Sequence, residues 1–264
     1  MTSVVHIGTS GFHYKDWVGP VYPAGTPSGS FFDLYCQRFS TLEVNYTFYR
    51  LPSTATMKSL AEQSPEGMRV VVKLTGIFTH QRTGTLADAR SFEECLAPLR
   101  EQGKLGPLLA QFPYSFKPDK KSFDQIRRLR SYFRHPMVVE IRNRKWLNQR
   151  FFEFLKELEL GFCCVDEPPI GGLLPPLNVV TSDVGYLRFH GRNSAKWWEH
   201  ERPEERYDYL YEPSELAPWV PRLETMKKRA KETFVFFNNH FEGKAVQNAE
   251  EMIRLLQPTR RSQP

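Results

Sequence analysis

Cysteine is scarce and unpatterned in this chain of 264 residues: the four present are Cys36, Cys95, Cys163 and Cys164, and none has the CxxC spacing of a redox motif or a zinc ribbon. Cys163 and Cys164 are adjacent in an apolar run, where successive side chains point to opposite faces, so all four read as reduced core or near-core thiols. Long hydrophobic runs are missing too, with nothing near the ~18 apolar residues that span a bilayer. The start, Met1-Thr2-Ser3-Val4-Val5-His6, lacks the basic and apolar segments of a signal peptide. A cytoplasmic protein with no membrane partner is expected. No internal repeat, low-complexity tract or linker appears, which argues against arrays and paired domains. Charge of one sign is barely in excess, with 36 Lys+Arg against 30 Asp+Glu for a net +6. That balance fits a phosphate, nucleotide or nucleic-acid partner but does not require one. Part of it sits on Arg127, Arg128 and Arg130 of one expected helix face and on Arg254, Arg260 and Arg261 near the C-terminus.

What the chain has is apolar mass in a regular order. Hydrophobic residues make up 40% of it, with 20 Phe, enough for a large core. Eight β-rich runs, at 4–8, 41–45, 69–74, 107–112, 137–142, 162–166, 185–190 and 233–238, alternate with helical patterns at 29–39, 54–63, 91–102, 119–133, 146–160, 214–231 and 244–256. Ser53, Asp119 and the Pro213-Ser214-Glu215 step are helix-start signals, since short oxygen-bearing side chains accept the first-turn N–H groups. Residues 167–184 hold four prolines and two glycines, so the sixth crossover is expected to be irregular. The alternation predicts an α/β fold, a single TIM-barrel-like (β/α)8 domain over 1–257 followed by a C-terminal tail over 258–264. An open Rossmann-like sheet with two added strands is the competing arrangement, but no GxGxxG follows the first strand.

Polar residues gather at the C-terminal ends of these runs. Glu43 and Asn45 close the second, Lys73 the third, Gln111 the fourth, Glu140 and Arg142 the fifth, Asp166 the sixth, Arg188 and His190 the seventh, and Asn238 with Asn239 the eighth. Period-2 alternation puts Glu43 and Asn45 on one face and Leu42 and Val44 on the other; 138–142 and 186–190 repeat the arrangement. In a barrel the polar face points inward near the C-terminal mouth, where barrel enzymes build their sites. An internal ion-pair network without chemistry, drawn from Glu43, Glu140, Arg142 and Arg188, is the plainer alternative. Two loops add to the pattern. Residues 8–17 carry Gly8, Thr9, Ser10, Gly11, Tyr14 and Trp17, which suit backbone contacts to an anion beside aromatic rings. Residues 191–211 interleave Arg192, Arg202 and Arg206 with aromatics, which suits a phosphate-contacting lid.

These motifs resemble the domain of unknown function numbered 72, also called the YecE-like family. The likeness rests on Ile7-Gly8-Thr9-Ser10-Gly11 with Tyr14 and Trp17, on Tyr22-Pro23, on 43–49 with Pro52, and on Lys73 with Thr79-His80. It continues through Gln111-Phe112-Pro113, Glu140-Ile141-Arg142 with Trp146, Asp166, Arg188-Phe189-His190-Gly191, and Phe237-Asn238-Asn239 with Ala245 and Asn248-Ala249. The resemblance implies a TIM-barrel-like fold and no particular activity. Phe12 stands where the family usually has Trp, and Asn143 where a His commonly follows Glu-x-Arg.

Three readings follow for the mouth. The first is an enzyme on a phosphate-bearing substrate, a phosphoester or nucleic-acid hydrolase. Its catalytic candidates are Glu43, Lys73, Glu140, Asp166 and His190, and its substrate-binding candidates are Thr9, Ser10, Tyr14, Trp17, Asn45, Tyr49, His80, Gln111, Arg142, Arg188, Arg192, Asn238 and Asn239. A divalent metal ion is its candidate cofactor, drawn by Glu43, Glu140, Asp166, His80 and His190. The second is a metal-independent carbohydrate or sugar-phosphate enzyme with Glu43 as the acid and Glu140 as the base. The third is a non-catalytic protein that binds an anionic ligand or nucleic acid. His13, His135, His200 and His240 are read as surface or core residues. The sequence carries no sign of oligomeric state.

Overall fold

A computed structural model describes residues 4–257; the expected tail over 258–264, with Arg260 and Arg261, lies outside the described residues. Eight strands, β1 (Val4–Ser10), β2 (Thr41–Val44), β3 (Arg69–Lys73), β4 (Leu105–Gln111), β5 (Met137–Glu140), β6 (Gly161–Asp166), β7 (Val184–Phe189) and β8 (Glu232–Phe237), pair in sequence order, and the ring is closed by β1 against β8. Every pairing is parallel. Strands buried on both faces need near-continuous apolar sequence, and Val70, Val71, Val72, Leu108, Leu109, Ala110, Val138 and Val139 supply it, all buried.

The helices between them are α1 (Phe31–Cys36), α2 (Thr54–Gln63), α3 (Gly76–Thr79), α4 (Leu86–Cys95), α5 (Ala97–Glu101), α6 (Lys120–Tyr132), α7 (Gln149–Glu157), α8 (Pro213–Leu216), α9 (Trp219–Lys227) and α10 (Lys244–Leu256). The expected caps form: Ser53 Oγ accepts the N–H of Thr56 at 3.1 Å, and Asp119 Oδ1 that of Ser122 at 2.8 Å. Two helical segments differ from the sequence expectation. The one expected over 91–102 begins five residues earlier as α4, because Thr85 and Asp88 make a reciprocal capping box. It breaks before α5, which carries Pro98 in its first turn. The one expected over 214–231 divides into α8 and α9 around Pro218, which has no N–H to continue the ladder. The crossover from β6 to β7 holds no helix, as its prolines predict. Among the described residues, no helix is long and apolar enough to cross a membrane.

Candidate functional site

Inside the barrel, toward the C-terminal ends of the strands, one guanidinium organises two carboxylates. Arg188 of β7 sends Nη2 to Glu43 Oε1 of β2 and Nη1 to Glu140 Oε2 of β5, both at 2.7 Å. Glu43 also accepts Ser10 Oγ and the Tyr186 hydroxyl, each at 2.6 Å. Glu140 Oε1 takes Arg142 Nε at 2.7 Å and His190 Nε2 at 3.2 Å, while Cys163 Sγ lies 3.7 Å from Oε2. Arg142 Nη1 continues outward to Glu167 Oε2 at 3.1 Å. The period of two explains the convergence, since Tyr186, Arg188 and His190 share one face. Glu43, Glu140 and His190 are fully enclosed, and Arg188, 1% exposed, is nearly so. Burial opposes the charge on Glu140, but Arg142, Arg188 and His190 outweigh it and hold the carboxyl well below the usual range. Burial and Arg142 push His190 down to about 3, so the ring is neutral. Its Nε2–H then donates to Glu140, and Nδ1 accepts from Asn238 Nδ2 at 3.2 Å.

Above this floor opens a cavity of about 760 Å³. Its charged lining is cationic: Lys73, Arg142 and Arg188 face it, and among the described residues no Asp or Glu does. Asn45, Gln111 and Asn238 supply neutral polar groups, and Tyr14, Tyr46, Phe48, Tyr49 and Tyr207 the aromatic walls. The cavity also runs past the end of β2 onto its outer face, where Leu42 and Val44 meet Phe32 of α1 and Ala55, Ser59 and Leu60 of α2. Four lining groups keep unused polar atoms: Arg188 Nε, Asn45 Oδ1, Tyr46 OH and His240 Nδ1 are buried without a hydrogen-bond partner among the described residues.

Lys73 is half-buried at the end of β3, donating from Nζ to Gln111 Oε1 at 2.8 Å. Burial, then Arg188, push its ammonium down from 10.5 to about 7, against the pull of Glu140 and Glu43. The folded chain therefore releases this proton near pH 7 while the unfolded chain holds it to about 10.5, so the residue's destabilising effect is full below about 7 and fades as pH rises. Lys73→Met should show its largest gain in urea midpoint over the parent below pH 7, and that gain should shrink steadily toward pH 10.5. A pH-independent difference between the two proteins would rule out titration of the amine in this window.

The structure does not bring all the sequence candidates to this cavity. Tyr14, Asn45, Tyr49, Lys73, Gln111, Arg142, Arg188 and Asn238 line it; Ser10, Glu43, Glu140 and His190 lie in the floor beneath. Thr9 Oγ1 donates to the Gly11 carbonyl at 2.6 Å, and Trp17 Nε1 to the His240 carbonyl at 2.7 Å, both as braces of the first loop. The N–H groups expected to face an anion are already engaged there, Thr9 with the Tyr35 hydroxyl and Gly11 with the Glu43 carbonyl. His80 packs edge-on against Phe48, and burial and Lys73 lower it to about 4. Asn239 ties Tyr209 to Asn248.

Asp166 stands apart as well. It accepts Arg192 Nε and Nη2, each at 2.7 Å, the Tyr211 hydroxyl at 2.8 Å and Trp219 Nε1 at 2.9 Å. The cations of the loop read as a lid are engaged away from the cavity: Arg192 pairs with Asp166 and Glu215 outside the loop, Lys196 and Arg202 pair with Glu205 within it, and Arg206 hydrogen-bonds His200. Tyr207 is what that loop contributes to the cavity. Several groups escaped the sequence reading. His240, read as a surface or core residue, lines the cavity stacked on Tyr14 with ring centres 4.4 Å apart, and His13 lines it too. Glu167, in the irregular crossover, had no periodicity to reveal it.

A resident divalent metal does not fit these donors. Among the described residues no three of His, Cys, Asp and Glu converge as a ligand set, and the Glu43 and Glu140 carboxylates are surrounded by donors with which a cation would have to compete. Burial raises Glu167 to about 7, against the pull of Arg142, so that carboxyl is a poor anionic ligand near neutrality.

Fold and site together define a (β/α)8-barrel protein with a cation-lined cavity at its C-terminal mouth. The chain belongs to the family described as "Protein of unknown function DUF72", which it matches over residues 6–264. It is 30% identical over 270 residues to the UPF0759 protein YunF of Bacillus subtilis (strain 168), covering 96% of this chain and 95% of that one. A crystal structure of a DUF72 family protein from Thermotoga maritima matches at 37% identity and a TM-score of 0.90, over 96% of this chain and 99% of that one. A second, from Enterococcus faecalis, matches at 27% identity and 0.86, over 96% and 95%.

Proposed function

We propose that the mouth binds a phosphate-bearing small molecule and that the protein is an enzyme acting on it. One observation carries this reading: Lys73, Arg142 and Arg188 line a single cavity whose lining, among the described residues, includes no Asp or Glu. The carboxylates behind the two arginines fix the guanidinium planes, so an arriving anion meets donors already held in place. Because those carboxylates also neutralise the arginines at long range, recognition comes from direct contact rather than from steering. The aromatic walls suit the organic part of the ligand. A cavity of about 760 Å³ takes a nucleotide or sugar phosphate, and a nucleic acid would have to present a single terminal or flipped-out nucleotide.

In this reading Arg142 and Arg188 hold phosphoryl oxygens, and Lys73 is the group that moves protons near neutrality. The acid and base pair of Glu43 and Glu140 has less support, since each would have to break ion pairs or hydrogen bonds in the floor before touching a substrate. Calorimetric titration with inorganic phosphate, sugar phosphates and nucleotides tests the proposal. Arg142→Gln should weaken the best ligand by roughly tenfold or more, the worth of one charged hydrogen bond. If none of the panel binds the parent at millimolar concentration, the reading fails.

A further inference from the structure

Lys73 is set apart from the other cations of the mouth by its partners. Arg142 and Arg188 each bridge two carboxylates. Lys73 Nζ instead donates to the neutral amide oxygen of Gln111 at 2.8 Å and sits 4.7 Å from the centre of the Phe48 ring. Among the described residues it forms no ion pair, although it faces the cavity beside both arginines. An amine without a counter-ion, set beside an aromatic ring and near fixed guanidinium groups, keeps its lone pair available for bonding to carbon. Simple anion recognition needs no such arrangement, because a carboxylate-held cation serves it as well.

We infer that Lys73 is a nucleophile whose Nζ forms an imine with the carbonyl carbon of a phosphate-bearing aldehyde or ketone, the phosphate resting on Arg142 and Arg188. The inference rests on the phosphate reading above and names the rest of the substrate. The Nζ lone pair adds to the carbonyl carbon, a C–N bond forms, and the C=O π pair moves to oxygen, which gains the proton that nitrogen releases. The resulting hydroxyl takes a further proton from a hydronium ion of the solvent and leaves as water while the nitrogen lone pair closes C=N. The iminium keeps that proton's positive charge and one N–H, which can still reach Gln111. Its electron demand acidifies the C–H next to the former carbonyl, so the reaction class is chemistry at that carbon: proton exchange, or making or breaking a carbon–carbon bond.

Glyceraldehyde 3-phosphate and glyceraldehyde, each below one equivalent and with sodium cyanoborohydride, are the probes, and peptide mass mapping locates the reduced adduct. The expected result is label on Lys73 that is roughly tenfold greater with the phosphorylated aldehyde, suppressed by inorganic phosphate, and missing from Lys73→Arg. The adduct is located in the parent protein, so the test survives misfolding of a variant, and Lys73→Met with a parent-like circular dichroism spectrum serves as the second control. If phosphate raises the melting temperature of the parent but Lys73 carries no more label than surface lysines, the nucleophile is overturned and the phosphate reading stands. Equal labelling of Lys73 by both aldehydes, unaffected by phosphate, would leave the amine reactive but overturn the phosphate-bearing substrate.

Discussion

Arg188→Met should destabilise the barrel by about 3–5 kcal/mol, the usual cost of removing one partner from a buried ion pair. The cause is what remains: Glu43 and Glu140 are fully enclosed, and each loses a 2.7 Å contact to a positive charge. Glu43 would still hold Ser10 and Tyr186, and Glu140 would still hold Arg142, so the barrel should fold but unfold at a lower urea concentration. Adding Glu43→Gln should recover part of the loss, because one uncompensated charge is then gone and the amide can still accept the Tyr186 hydroxyl. A double variant as unstable as the sum of its parts would show that packing, rather than charge, makes Arg188 important.

Asp166→Ala is expected to cost about 3 kcal/mol or more by the same logic, reached from the opposite sign of charge. The substitution strands the Trp219 indole N–H, leaves the Tyr211 hydroxyl to the Gly191 N–H and a long 3.3 Å contact with the backbone carbonyl of residue 166, and leaves Arg192 with Glu215 alone. These partners come from α9 and from the segment that follows β7, so the loss should appear locally as well as globally. Limited proteolysis should cut the Asp166→Ala protein within 191–211 under conditions where the parent resists. An unchanged cleavage pattern, with an unchanged urea midpoint, would mean that the four hydrogen bonds to this carboxylate hold nothing in place.

The strands and the inward polar face were legible because both depend on local pattern. Alternation in β2, β5 and β7 placed Glu43, Glu140 and Arg188 on one side, and barrel closure then had to bring them together. What alternation cannot give is the depth of each side chain. Glu43 and Glu140 lie behind the arginines rather than in front of them, and this order, set by the stagger between strands, turns apparent acid and base residues into a floor. The charged loop over 191–211 failed as a sequence signal for a related reason: its cations and carboxylates are close along the chain, so pairs such as Lys196 with Glu205 and Arg202 with Glu205 form within the loop. His240 was hidden because its role comes from stacking on Tyr14, a partner more than two hundred residues away.

The two adjacent cysteines of β6 have a practical consequence. Cys163 points into the barrel near Glu140, Cys164 outward toward the backbone of Val179, and both are fully enclosed. Their opposite directions keep the sulfurs from joining each other, and burial pushes the pKa of both thiols up, so that both stay protonated and unreactive. A thiol reagent can therefore reach the inner sulfur only when the staves of the barrel separate, and the outer one only when the layer around it lifts. The chain thus contains two reporters on neighbouring residues, one for the inside of the wall and one for the outside.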